Sequence, residues 1–154
     1  MLQEGDSAPG FALTDADGKI RKLSDFKGHY TVVYFYPKDD TSGCTKEAQS
    51  FTELKEEFGK LKAEILAISP DSVKSHAKFR EKYGLQVTLL ADEEKAAIEA
   101  YGVWVEKKMY GKAYMGVERS TFLIGPDGKI VKAWKGVKVP GHAEAVLDAL
   151  KKQQ

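Results

Sequence analysis

Thr31-Val32-Val33-Tyr34-Phe35-Tyr36-Pro37-Lys38-Asp39-Asp40-Thr41-Ser42-Gly43-Cys44-Thr45 runs from a β-branched and aromatic segment, through a polar loop, into the start of a helix. Residues 31–36 are bulky on both faces, as a strand covered by helices on either side must be. Pro37 has no N–H and a fixed φ, so it ends the strand. Thr41 or Ser42 reads as an N-cap, which sets Cys44 in the first helical turn, among unpaired backbone N–H groups and the positive end of the helix dipole. Ala48, Phe51, Leu54, Phe58 and Leu61 follow at steps of three or four and give this helix one apolar face.

Residues 65–68 repeat the buried-strand pattern. A second helix carries Val73, Ala77, Phe79 and Tyr83, opened by Asp71 or Ser72 and closed by Gly84. Residues 87–90 read as a short strand, 93–101 as a brief helix stopped by Gly102, and Ala143, Val146, Leu147 and Leu150 mark a last helix. Asp17-Gly18 and Asp127-Gly128 supply turns between residues 11–13 and 20–23, and between 121–124 and 130–133. The pattern predicts an α/β fold: a thioredoxin-like sandwich with a central mixed sheet flanked by helices, an N-terminal hairpin, a parallel core and an antiparallel edge.

The chain has 154 residues, 42% hydrophobic, which predicts a single domain over residues 1–154. Twenty-four Lys and Arg balance 23 Asp and Glu, interspersed, so no nucleic-acid footprint is expected. The longest strongly apolar stretch, residues 32–36, is far short of the roughly 20 residues of a membrane-spanning helix. Cys44 is the one cysteine, which excludes an internal disulfide and a multi-cysteine zinc site. The start, Met1-Leu2-Gln3-Glu4, has neither a basic region nor an apolar core, and a reducing, cytoplasmic setting is expected.

A lone cysteine is by default a small buried hydrophobe. At a helix N-terminus, however, a thiolate is favoured, and a thiolate is a nucleophile. Thr41, three residues earlier, brings a hydroxyl that can donate to or accept from a small polar substrate, and Pro37 can shield the sulfur without competing for hydrogen bonds. His29, His76 and His142 show no metal-ligand spacing and read as surface or cap residues. Asp39 and Asp40 read as a solvated turn, and Trp104, Tyr110, Tyr114 and Trp134 as core or pocket-rim aromatics. No nucleophile elbow, phosphate-binding glycine loop or dinucleotide fingerprint is present.

Pro37, Thr41 and Cys44 form a Pro-x-x-x-Thr-x-x-Cys pattern that resembles the active-site signature of the peroxiredoxins. Residues 34–39 and 43–48 resemble, more narrowly, the bacterioferritin comigratory protein or peroxiredoxin Q branch, as do residues 107–111 and 137–144. Residues 116–122 are similar to the strand that carries the family's active-site arginine, here Arg119. The resemblance implies a thiol-dependent peroxidase with no cofactor and no metal. In it, a Cys44 thiolate attacks hydrogen peroxide or an alkyl hydroperoxide and becomes a sulfenic acid, with Thr41 and Arg119 activating and orienting and Pro37 shielding.

Two positions depart from the branch. Gln49 stands where many members carry a second cysteine, and Ser42 where proline is usual. The implied form is one-cysteine, resolved by an external thiol such as thioredoxin, glutaredoxin or a small thiol, or by a second chain, in a monomer or weak dimer. Rival readings are a thioredoxin-like binding or chaperone module with an incidental cysteine, and a cysteine hydrolase, which requires a histidine base beside Cys44.

Overall fold

In the computed structural model, described over residues 2–154, the strands are β1 (Ala12–Asp15), β2 (Ile20–Lys22), β3 (Tyr30–Phe35), β4 (Ala63–Ser69), β5 (Thr88–Ala91), β6 (Trp104–Met109), β7 (Lys112–Val117), β8 (Ser120–Ile124) and β9 (Ile130–Lys135). The helices are α1 (Ser42–Glu53), α2 (Lys55–Lys60), α3 (Val73–Tyr83), α4 (Ala96–Ala100) and α5 (His142–Lys151). Seven strands form one sheet in the order β2-β1-β5-β4-β3-β8-β9. Strands β3, β4 and β5 are parallel, and β8, β9 and β1 run antiparallel to their neighbours, so the sheet is the mixed one expected.

The alternation along β3 explains its bulk on both faces. Val32 and Tyr34 pack with residues of α1, α2, α3 and α5 on one side of the sheet, whereas Val33 and Phe35 pack with Ile98, Tyr101 and Val103 on the other. Both Asp-Gly hairpins form, with Gly18 at φ 83° and Gly128 at φ 82°. Ser72 caps α3 by accepting from the Ser75 N–H at 3.1 Å, and Gly84 ends it in the left-handed region.

Three elements differ from expectation. The long helix after Cys44 breaks at Leu54, and the break still leaves Phe51 and Phe58 buried with ring centroids 6.0 Å apart. The helix near residue 96 starts later, because the Asp92 carboxylate accepts from the N–H groups of Ala96 and Ile98 and fixes its first turn there. The β6–β7 hairpin was not foreseen at all. Its two-residue turn, Tyr110-Gly111, has positive φ at both positions, and the two strands pair only with each other. Tyr110, expected in a core or pocket rim, is 98% exposed at its tip, and Tyr114 is also exposed; Trp104 and Trp134 are half-buried. Among the described residues no helix is long and apolar enough to cross a membrane.

Candidate active site

Strand β3 is parallel to β4 and antiparallel to β8. The loop leaving the end of β3 and the segment entering β8 therefore meet at one edge of the sheet, where ligands of open α/β sheets bind. Register makes this concrete: Phe35 pairs with Ser120, so Arg119 lies just past the end of β3, beside the loop that leads to α1. Residues 75 positions apart in sequence are thereby brought into contact.

Thr41 has the extended backbone of an N-cap, and Cys44 follows in the first turn of α1, 2% exposed. Arg119 Nη2 donates to Cys44 Sγ at 3.3 Å, and Arg119 Nη1 donates to Glu47 Oε1 at 2.7 Å. The guanidinium fork thus spans one helical turn, with the thiol on one prong and a carboxylate on the other. Gly43 makes room for it, since a Cβ there would sit 3.1 Å from Arg119 Nη2.

Glu47 was not singled out from the sequence, although its position three residues after Cys44 places it on the same helix face. Burial pushes its carboxyl up to about 7, against the pull of Arg119 downward. Its Oε2 and the Tyr34 hydroxyl are buried without a hydrogen-bond partner among the described residues. Burial, with Glu47 and Cys44 adding to it, holds Tyr34 protonated well above its ordinary range. Burial disfavours the Arg119 charge, but Glu47 and Cys44 outweigh that and hold the guanidinium more firmly protonated.

The structure brings Cys44 and Arg119 together, but Thr41 does not reach the sulfur. Its exposed hydroxyl donates to the Lys38 carbonyl at 2.8 Å, closing the loop on itself rather than capping the helix. Pro37 is half-buried at the loop entrance. Gln49 is exposed on α1 and borders an open groove shared with Lys46, Val139 and Pro140.

Asp39 corrects the expected solvated turn. It is buried and ties the loop to the rest of the fold: its N–H donates to Asp71 Oδ2 at 2.8 Å, Tyr36 Oη donates to Oδ1 at 2.6 Å, and Ser75 Oγ donates to Oδ2 at 2.8 Å. His76 Nδ1 lies 2.7 Å from the same Oδ2, and His76 Nε2 donates to the Leu90 carbonyl at 3.0 Å. Asp40 alone is exposed, paired with Lys82 and Tyr83. The histidine expectation fails in the same way. Only His29 is exposed, whereas His76 is fully buried and His142 is buried with its Nε2 2.8 Å from Thr121 Oγ1. Burial, with Arg119 adding to it, pushes His142 down to about 4. No histidine is hydrogen-bonded to Cys44 among the described residues, so the base that a cysteine hydrolase requires is missing.

Comparison with known proteins converges on the same chemistry. Residues 5–133 match the AhpC/TSA family. The chain is 49% identical over 150 residues to peroxiredoxin Bcp of Bacillus subtilis, covering 97% of this chain and 96% of that one. It is 54% identical over 139 residues to peroxiredoxin Bcp of Xanthomonas campestris, covering 90% and 87%. A cysteine-to-serine variant of peroxiredoxin Q from Xylella fastidiosa superposes with a TM-score of 0.95 at 41% identity, covering 99% and 98% of the two chains. The X. campestris bacterioferritin comigratory protein, trapped in intermediate and ligand complexes that bear on its alkyl peroxide reduction activity, superposes at 0.89 with 48% identity, covering 93% and 91%. With one cysteine, an arginine on its sulfur and these relatives, the chain belongs to the AhpC/TSA family, in the bacterioferritin comigratory protein or peroxiredoxin Q branch, as a one-cysteine, thiol-dependent peroxidase.

Proposed function

We propose that this peroxidase reduces hydrogen peroxide and alkyl hydroperoxides through a Cys44 sulfenic acid that an external thiol resolves, with residues 1–154 acting as one domain in a reducing, cytoplasmic setting. The observation that carries the reading is the Arg119 fork, 3.3 Å from Cys44 Sγ and anchored on Glu47. The alkyl peroxide reduction of the X. campestris relative supports the wider substrate range.

In this mechanism the Cys44 thiolate, at the positive end of α1, attacks the terminal oxygen of R–O–O–H. The S–O bond forms as the O–O bond breaks, and the leaving alkoxide takes up a proton and departs as ROH. Arg119 commits one N–H to the sulfur and one to Glu47, which leaves further N–H groups as the donors that stabilise the developing oxyanion in this proposal. Thr41 spends its proton on Lys38, so its lone pairs accept the hydrogen of the hydroperoxide and set its approach. Pro37 shields the sulfur. A thiol R′–SH then condenses with Cys44–SOH, releasing water and forming a mixed disulfide, and a second thiol frees Cys44.

Peroxide consumption with dithiothreitol as reductant tests the reading. Cys44→Ser is expected to abolish turnover, and one equivalent of peroxide is expected to add one oxygen to the intact mass of the native chain when no thiol is present. Turnover that survives the substitution overturns the assignment.

A further inference from the structure

The large apolar side chains that are exposed among the described residues are Ile20 and four from a single hairpin: Met109, Tyr110, Tyr114 and Met115. The base of the hairpin packs into the core through Trp104 and Val117, whereas these four side chains stay outside it, and such clustering is the mark of a contact surface rather than of incidental exposure. Register divides the hairpin into two faces. Lys107 pairs with Tyr114 and Met109 with Lys112, so these four side chains share one face with Gly116. The absence of a side chain at Gly116 lets the Lys107 stem and the Tyr114 ring close over it, since a Cβ there would sit 3.3 Å from Lys107 Cδ and 3.5 Å from Tyr114 Cε2.

This face is continuous with the reactive cysteine. β7 ends two residues before Arg119, and the Lys107 ammonium lies within electrostatic reach of both Arg119 and Cys44. Burial, and then Arg119, hold it below the ordinary lysine range, while Cys44 and Glu118 pull the other way. This hairpin face is therefore apolar and cationic.

We propose that the Lys107, Met109, Lys112 and Tyr114 face of the β6–β7 hairpin docks a protein dithiol whose reactive cysteine is rimmed by acidic and apolar residues. The proposal rests on the external resolution of Cys44 set out above. A dithiol seated on this face presents its sulfur to Cys44–SOH at high effective concentration, whereas a small thiol must find it from solution. Charge complementarity then selects an acidic partner and speeds its encounter. The partner's first thiol condenses with Cys44–SOH to give a mixed disulfide and water. Its second thiol displaces Cys44, which leaves as the thiol while the partner becomes an intramolecular disulfide.

The test compares two reductants of hydrogen peroxide turnover: thioredoxin kept reduced by its reductase, and dithiothreitol, which needs no docking. The native chain is expected to turn over faster with thioredoxin at equal thiol. Lys112→Glu combined with Tyr114→Ser is expected to lower kcat/KM for thioredoxin roughly tenfold through KM, leaving the dithiothreitol rate unchanged. Raising salt from about 50 mM to about 500 mM is expected to slow the thioredoxin reaction alone. An unchanged thioredoxin rate in the double variant, or no advantage of thioredoxin over dithiothreitol, overturns the proposal. Sedimentation that shows a dimer of the native chain which the double variant dissolves also overturns it, in favour of a second copy. Absence of turnover of the native chain with dithiothreitol points to failure of the peroxidase mechanism instead.

Discussion

Glu47 holds Arg119 through a 2.7 Å ion pair while its own second carboxylate oxygen stays buried and without a hydrogen-bond partner. The pair is thus better made for the arginine than for the glutamate: the guanidinium gains a fixed position over Cys44, and the carboxyl bears the cost of leaving water.

Replacing Arg119 tests the fork. Lysine keeps the charge but cannot bond sulfur and carboxylate in one plane. Arg119→Lys is expected to lower kcat/KM for peroxide by roughly 100-fold, with Arg119→Ala at least as damaging. Stopped-flow oxidation of Cys44 reads this directly, and a loss under threefold contradicts the placement of Arg119.

The Glu47 carboxyl sets a pH dependence of stability. Its folded value of about 7 lies above the ordinary 4.5, so between these values the folded chain binds more protons than the unfolded one. Stability from this group is complete below about 4.5 and falls as pH rises to about 7, by roughly 3 kcal/mol. His142 slopes the other way: with its folded value depressed to about 4, stability is lost as pH falls from 6.5 toward 4. The two offset each other in the native chain. Glu47→Gln unmasks His142, so urea midpoints of that variant are expected to rise between pH 5 and pH 7 more steeply than those of the native chain.

Gly43→Ala separates stability from activity. A Cβ 3.1 Å from Arg119 Nη2 forces the guanidinium away from Cys44, while alanine suits a helix better than glycine by up to about 1 kcal/mol. Thermal unfolding is expected to show an unchanged or slightly raised midpoint, alongside a kcat/KM for peroxide reduced by roughly tenfold. An alanine variant as active as the native chain shows that Arg119 yields freely.

Asp39 and His76 tie the loop before α1 to α3 and the end of β5. Removing His76 takes one of three side-chain partners from a buried carboxylate that keeps Tyr36 and Ser75, so His76→Ala is expected to cost roughly 3 kcal/mol in urea unfolding. Asp39→Asn together with His76→Ala is expected to recover part of that loss, because no unpaired charge then remains. Additive losses in the double-mutant cycle show that the two residues are not coupled.

The sheet core was legible because its signals are local and redundant: β-branched runs on β3 and β4, Asp-Gly turns, and the Ser72 and Gly84 caps. The β6–β7 hairpin was not. Only Trp104 and Val117 at its base reach the core, so its strands lack the sustained apolar alternation that marks a half-buried strand, and its turn has Tyr110 where Asn or Asp would have been recognised. At the site, Cys44 and Arg119 were found through a motif. Glu47 and Asp39 were missed because acidic residues in a charged chain read as solvated until burial is known. The buried histidines were missed for the same reason, their partners Asp39 and Thr121 being 37 and 21 residues away.

The pairing of β3 with β8 that carries Arg119 to Cys44 also times the appearance of reactivity. Until these distant strands pair in register, the sulfur lacks its guanidinium. In the proposed mechanism, oxidation of Cys44 by peroxide thus doubles as a report that this one strand pair has closed.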